Sequence, residues 1–155
     1  MKRIITIGRE FGSGGRELGR RLSEEMGIAY YDQEIITEIA NRTSLSEQYV
    51  QAVIEHWPSF SFPIHIGRSF YPAVSPVFEQ SMAVFQEQFR IIKEMALKSD
   101  CVIVGRCADY ILKEYRPMRI FVYADMESRM ARCRAKAPEE EEMTDKELKQ
   151  HILGI

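Results

Sequence analysis

Glu10-Phe11-Gly12-Ser13-Gly14-Gly15-Arg16-Glu17 sets three glycines within four residues of one another and brackets them with charge. Glycines let a backbone take positive φ and approach an anion closely, so the free N–H groups of such a turn can cradle a phosphate, most of all where a helix follows. The common lysine-bearing pattern for this task is G-x-x-x-x-G-K-[ST], and it fits here in neither register. With Gly15-Arg16 in place of the Gly-Lys pair, the first glycine falls on Glu10 and Arg16 is the cation. With Gly14 as the second glycine, the first falls on Arg9 and the lysine on Gly15. In the first register Glu17 replaces the hydroxyl that would bind magnesium, a hard oxygen ligand that also repels phosphate. A dinucleotide fingerprint G-x-G-x-x-G is excluded, because Glu17 stands where the third glycine belongs.

Other chemistry-bearing residues lie further along. Asp32 follows the short apolar run Ile28 to Tyr31. At a strand's carboxyl end it is placed either to meet a ligand or to cap the helix expected over Gln33 to Asn41. Arg106 follows the apolar run Cys101 to Gly105 in the same way, with Asp109 close behind. Asp125 can cap a helix carrying Arg129, Arg132 and Arg134. Those arginines form either a lid over a polyphosphate, whose oxygens a planar guanidinium grips bidentately, or a solvated face. Their angular steps of about 300° and 500° leave only a loose shared sector. His65 and Arg68 are the polar members of an aromatic stretch, and a histidine in such company more often satisfies a local hydrogen bond.

The elements that must position these residues alternate between strand and helix. Arg3 to Ile7 is a short β-branched run suited to a buried parallel strand, and Leu18, Leu22 and Met26 recur at helical spacing until Gly27 stops the helix. Ser44-Leu45-Ser46-Glu47 reads as a capping box for a helix to about His56, with Val50, Val53 and Ile54 on one face. Residues 57–75 hold three prolines and five aromatics, an irregular insert that covers a site, packs on a partner or seals the core. Ser75-Pro76 opens a long helix to Leu97 whose stripe Phe78, Phe85, Phe89, Ile92 and Met95 is core or a dimer seam. A third apolar strand runs from Met118 to Tyr123. The acidic run Glu139 to Glu142 reads as solvated, and Thr144-Asp145-Lys146-Glu147 caps a last short helix.

Composition bounds the reading. The 155 residues, 45% of them apolar, suffice for one domain and not two of ordinary size. A net charge of −2 gives no global attraction to nucleic acid or to an anionic membrane. No apolar run approaches a bilayer span, and no signal peptide is expected. Three cysteines without a C-x-x-C pair fit a reducing cytoplasm and imply no structural zinc.

Ile4 to Glu17, with its Arg-Glu-x-Gly-Ser-Gly-Gly-Arg-Glu loop, then Ile28 to Asp32, then Val102-Ile103-Val104-Gly105-Arg106-Cys107-Ala108-Asp109, resemble the cytidylate kinase-like family from end to end. The match is to a divergent branch in which this loop replaces the lysine loop. The resemblance implies an α/β P-loop kinase-like three-layer sandwich on a parallel sheet, a single domain over 1–155 with a partial lid region at 125–155. The fifth strand of such sheets is apparently absent. It implies transfer of the γ-phosphoryl group of ATP, with Mg2+, to a nucleoside monophosphate, cytidylate first. Gly12, Ser13, Gly14, Gly15, Arg16 and Glu17 would hold the donor, Arg16 supplying the lysine's charge and Glu17 or Asp32 lying near the metal. Asp32, Arg106 and Asp109 would face the acceptor, with Arg106 on its phosphate, and Arg129, Arg132 and Arg134 would close over the transferring group. The family has Asp directly after that arginine, whereas Cys107 intervenes here. Two rivals are a nucleotide-binding regulatory module without turnover and a kinase for another small molecule. Expected partners are small nucleotides, with neither nucleic acid nor membrane, and a homodimer through 76–98 or 57–75 is possible.

Overall fold

Residues 2–55, 76–136 and 143–154 are described by a computed structural model of the chain. The aromatic insert at 57–75 and the acidic run Glu139 to Glu142 lie outside the described residues. In chain order the elements are β1 (Ile4–Arg9), α1 (Gly15–Met26), β2 (Ala29–Tyr31), α2 (Gln33–Thr43), α3 (Glu47–Glu55), α4 (Pro76–Lys98), β3 (Cys101–Val104), α5 (Ala108–Ile111), a 3-10 turn (Lys113–Tyr115), β4 (Met118–Val122), α6 (Met126–Lys136) and α7 (Asp145–Leu153). The chain divides into two compact units, Met1–Asp32 with Lys93–Ile155, and Gln33–Ile92. Among the described residues no helix is long and apolar enough to cross a membrane.

The first unit is built on a parallel sheet of order β2-β3-β1-β4. β-branched residues fill its centre: Ile4, Ile5, Thr6 and Ile7 of β1 and all of β3 are buried, as strands covered on both faces require. Because side chains alternate, Ile5, Ile7, Val102 and Val104 share a face and form a core cluster with Leu22, Met26, Ile28, Tyr30, Ile120 and Val122. Each such side chain, fully buried, contributes about 1.5–3 kcal/mol. β1 runs two residues past the expected Ile7, because Gly8 and Arg9 still pair with Phe121 and Val122.

Of the expected α1 stripe, Leu22 and Met26 pack against the sheet's core cluster and Leu18 does not. Leu18 is 42% exposed, and the buried face is Gly15, Gly19 and Ser23. A Cβ at Gly19 would lie 2.9 Å from Val104 Cγ2 and 3.1 Å from Ile7 Cδ1, so the glycine brings the helix backbone close to the strands. A second cluster in this unit joins Cys133 of α6 to Leu148 and Ile152 of α7, with Met126, Met130 and Met143 around them. The expected capping box of α7 is present: Thr144 Oγ1 accepts from Glu147 N, and Glu147 accepts from Thr144 N.

The second unit holds α2, α3 and most of α4, with Ile35, Ile36, Ile39, Ala40, Val50, Val53, Val84 and Ile91 buried. The expected cap of α3 moves by two residues. Ser44 takes φ 56° and closes α2, with Leu45 N donating to Ala40 O at 3.1 Å, so the cap falls to Ser46, whose Oγ accepts from Tyr49 N at 3.2 Å. On α4 the buried positions are Ser81, Val84, Gln88, Ile91, Ile92 and Ala96, while Phe89 is exposed. The helical period is as expected, but the stripe is rotated towards smaller residues.

Candidate functional site

Beyond Arg9 the chain leaves the sheet in a turn that two backbone-directed bonds hold open. Glu10 N donates to Val122 O at 3.0 Å, extending the β1–β4 pairing by one bond. The buried Ser13 hydroxyl then lies 2.8 Å from Glu10 O and 3.1 Å from Val122 O, sharing one proton between them, while Ser13 N donates to Glu10 O at 3.2 Å. Ser13, expected among the donor-binding residues, therefore spends both its hydroxyl and its N–H on loop geometry. Gly12 (φ 77°) and Gly14 (φ 89°) supply the left-handed conformations, and both have close neighbours where a side chain would start. A Cβ at Gly12 would lie 3.1 Å from Cys133 Sγ, and one at Gly14 would lie 2.8 Å from Arg132 Cζ. Gly14 is the N-cap of α1 and provides no side-chain cap, so the first helical N–H groups from Gly15 onward keep the positive end of the helix available to an anion.

The carboxyl ends of β2 and β3 bring Asp32 and Arg106 to the same place as the first turn of α1. Arg16 Nε lies 2.7 Å from Asp32 Oδ2, and Arg106 Nη2 lies 3.5 Å from Oδ1. Arg106 Nε also donates to the Asp32 carbonyl at 3.1 Å. Asp32 and Arg106 are nearly buried, with side chains 8% and 10% exposed, whereas Arg16 is 55% exposed. Gly105, Arg106 and Cys107 take φ of 70°, 57° and 53°, three left-handed residues in succession that return the Arg106 side chain to Asp32. Asp109 does not join them: it is exposed on α5 and, among the described residues, bonds neither arginine.

The three arginines of α6 go to three different places rather than forming one lid. Arg129 is buried, donates from Nε to the Phe11 carbonyl at 2.7 Å and meets Glu10 Oε2 at 3.3 Å, bracing the loop. Arg134 reaches Asp145 of α7 at 2.8 Å. Arg132 alone of the three lies against Gly14, held by Glu17 Oε2 at 3.2 Å. Glu17 also meets Arg21 at 2.6 Å and Lys136 at 3.8 Å. The charge of Arg21, then the hydrogen bond from Arg132, hold its carboxyl below the usual glutamate value. The tip of the loop is braced from α7 as well, where His151 meets the Phe11 ring edge-on at 5.6 Å.

A magnesium ion held by the protein does not fit these carboxylates. Glu17 already faces three cations and Asp32 two, and among the described residues no three His, Cys, Asp or Glu side chains gather as a metal site. One residue that sequence reasoning passed over is Arg9. Its stem crosses Gly15, where a Cβ would lie 2.5 Å from Arg9 Cβ, and its guanidinium fills the space that a Cβ at Gly105 would need. The signal was the second register of the lysine pattern, in which Arg9 and Gly15 are two of three mismatches, Arg16 standing where Ser or Thr belongs.

Known proteins were compared with this arrangement. No curated protein matches the chain. A crystal structure of an uncharacterized protein from Eubacterium ventriosum ATCC 27560 is similar at TM-score 0.61 and 26% identity, over 99% of this chain and 70% of that one. A shikimate kinase from Acinetobacter baumannii in complex with shikimate gives TM-score 0.48 and 14% identity, over 100% of this chain and 75% of that one. The family model described as the cytidylate kinase-like family matches residues 4–152, from the first residue of β1 to the last buried residue of α7. A parallel sheet, a glycine loop opening α1 and a match across that whole span lead to one assignment: the chain belongs to the cytidylate kinase-like family, with a P-loop kinase fold.

Proposed function

We propose that the protein transfers the γ-phosphoryl group of ATP to a nucleoside monophosphate, with cytidylate the first acceptor to test. The observation that carries this is the Arg16–Asp32–Arg106 cluster at the carboxyl edge of the sheet, beside the glycine loop. Phosphoryl transfer asks a protein for positioning and charge neutralisation more than for covalent chemistry. In this reading the amides from Gly14 to Arg16 hold the donor β-phosphate, and Arg132, fixed over Gly14 by Glu17, lies near the transferring group. Arg106 orients the acceptor phosphate, its fork preset by the Asp32 carbonyl and carboxylate. An acceptor phosphate oxygen attacks the γ-phosphorus, the bond to the bridging oxygen breaks, and ADP leaves with that oxygen's electron pair. Magnesium belongs with the nucleotide phosphates rather than with a protein-built cage, as is usual for this ion.

A second reading, a nucleotide-binding module without turnover, is favoured by one observation: Arg16 and Arg132 are both already paired with carboxylates. A coupled ADP-release assay over a panel of nucleoside monophosphates and small alcohols separates the two. Turnover with a monophosphate supports the kinase. If ATP raises the melting temperature while no acceptor releases ADP, the module is the correct reading, because ligand binding to the native state stabilises it without chemistry.

A further inference from the structure

Arg16, Arg106, Arg129, Arg132 and Arg134 each pair with a carboxylate. Among the described residues Arg9 pairs with none. It is half-buried at the end of β1, with its stem over Gly15 and its guanidinium against Gly105. That position is electrostatically costly. The N-terminus of α1 begins at Gly15 and carries the positive end of the helix dipole, so a partly desolvated guanidinium there faces a like charge with no counter-ion among the described residues. An anion in the loop relieves both charges at once.

The lysine pattern gives the arrangement its meaning. In the register that ends the loop on Gly14, the pattern asks for glycine at position 9 and lysine at position 15; the chain has arginine and glycine. These two mismatches touch each other. The Cβ that Gly15 lacks would collide with the Arg9 stem, and a left-handed glycine at 105 leaves the room the guanidinium occupies. We infer that Arg9 is the loop's polyphosphate-binding cation, its charge delivered from the end of β1 across Gly15 instead of from the first turn of α1. This inference rests on the proposed ATP-dependent phosphotransfer for its ligand. Arg16, which sequence spacing favours for the same task, is bound to Asp32.

Isothermal titration of the full chain with ATP and, separately, with inorganic tripolyphosphate tests it. The variants are Arg9→Met, which keeps a methylene stem over Gly15, Arg16→Met, and the exchange Arg9→Gly/Gly15→Lys, which restores the pattern's glycine and lysine. Arg9→Met should weaken both ligands roughly 100-fold, as expected for losing a charged hydrogen-bonding group, and Arg16→Met by less than about tenfold. The exchange should recover affinity to within about tenfold of wild type, which a merely space-filling Arg9 does not predict. Unchanged affinity in Arg9→Met overturns the inference, whether or not its melting temperature falls, and leaves the kinase reading standing. Tripolyphosphate binding that depends on Arg9, without any binding of ATP, overturns the kinase reading and upholds Arg9. Binding of neither ligand by the wild type overturns both.

Discussion

Asp32 balances two guanidiniums with one buried carboxylate, and its removal has consequences beyond a lost contact. Asparagine in its place keeps the shape but removes the negative charge that Arg16 and the nearly buried Arg106 share. Breaking a buried pair by deleting one partner costs about 3 kcal/mol or more, so Asp32→Asn should lose about 3 kcal/mol in urea titration. A loss below about 1 kcal/mol shows that the cluster is solvated and undercuts Arg106 as a preset phosphate fork. Ser13→Ala is the milder case. The Ser13 proton serves the Glu10 and Val122 carbonyls, which retain acceptance from Ser13 N and Glu10 N respectively, so about 1 kcal/mol is expected. Loss of ATP affinity should exceed that, since the bond shapes the loop; equal affinity for Ser13→Ala and wild type refutes this role. At this scale the sequence was read well for type and poorly for pairing. Arg16, Asp32 and Arg106 stood out by position relative to strands and helices, but nothing in linear spacing says that residues 16, 32 and 106 converge. Three arginines within six residues looked collective because helical proximity was visible and their separate carboxylate partners were not.

Helices α1 and α6 are joined over the loop by Glu17, which meets Arg132 and Lys136 of α6 as well as Arg21 of its own helix. Its carboxyl is held below the ordinary glutamate value of 4.5, first by Arg21 and then by the Arg132 hydrogen bond. A depressed folded value means that the ionised form stabilises the fold. That contribution is complete above the unfolded value and is lost as pH falls through the folded one. Wild type should therefore melt higher than Glu17→Gln by a constant margin above about pH 5, with the margin closing on further acidification. A margin that is zero above about pH 5, or that stays the same as pH falls into the acid range, means that the ionised link contributes nothing to stability. α7 offers a simpler test of local rules: Thr144→Ala removes the half of the capping box made by the threonine hydroxyl, leaves the Thr144 N–H to Glu147, and should cost about 1 kcal/mol. The elements themselves were legible where local chemistry decides them. β-branched runs marked β1 and β3, short apolar or aromatic runs marked β2 and β4, and Thr144 with Glu147 marked α7. On α1 the stripe was legible in Leu22 and Met26, but its closest approach was not, because periodicity looks for large apolar residues whereas contact with Val104 and Ile7 selects Gly19. Ser44 deceived for a related reason: a cap residue of the right type was already used to end the preceding helix.

For the whole molecule, a formal charge of −2 hides a local concentration of arginine at one edge of one unit. The glycine loop, Arg9, Arg16, Asp32, Arg106, Glu17 and Arg132 all belong to the unit formed by Met1–Asp32 and Lys93–Ile155, although 73 residues separate Asp32 from Gly105 in sequence. Parallel pairing is what closes that distance. β1 and β3 lie side by side with Ile7 opposite Val104, so the loop after one strand and the arginine after the other emerge at the same edge. A donor nucleotide bound there must then stabilise the sheet that presents it. At 100 times its Kd, ATP adds about 2.7 kcal/mol to the free energy of any opening that destroys the site. Native-state hydrogen exchange should register that increment at the amides of Ile5, Ile7 and Ile103, which lie in the β1–β3 ladder and whose exposure requires those strands to separate. The increment is a property of the site and not of the ligand's charge, so it should shrink in Asp32→Asn in proportion to lost affinity. Protection that appears at Ile35, Ile36 and Ile39 of the Gln33–Ile92 unit while β1 and β3 exchange as before places the nucleotide elsewhere, and with it the chemistry.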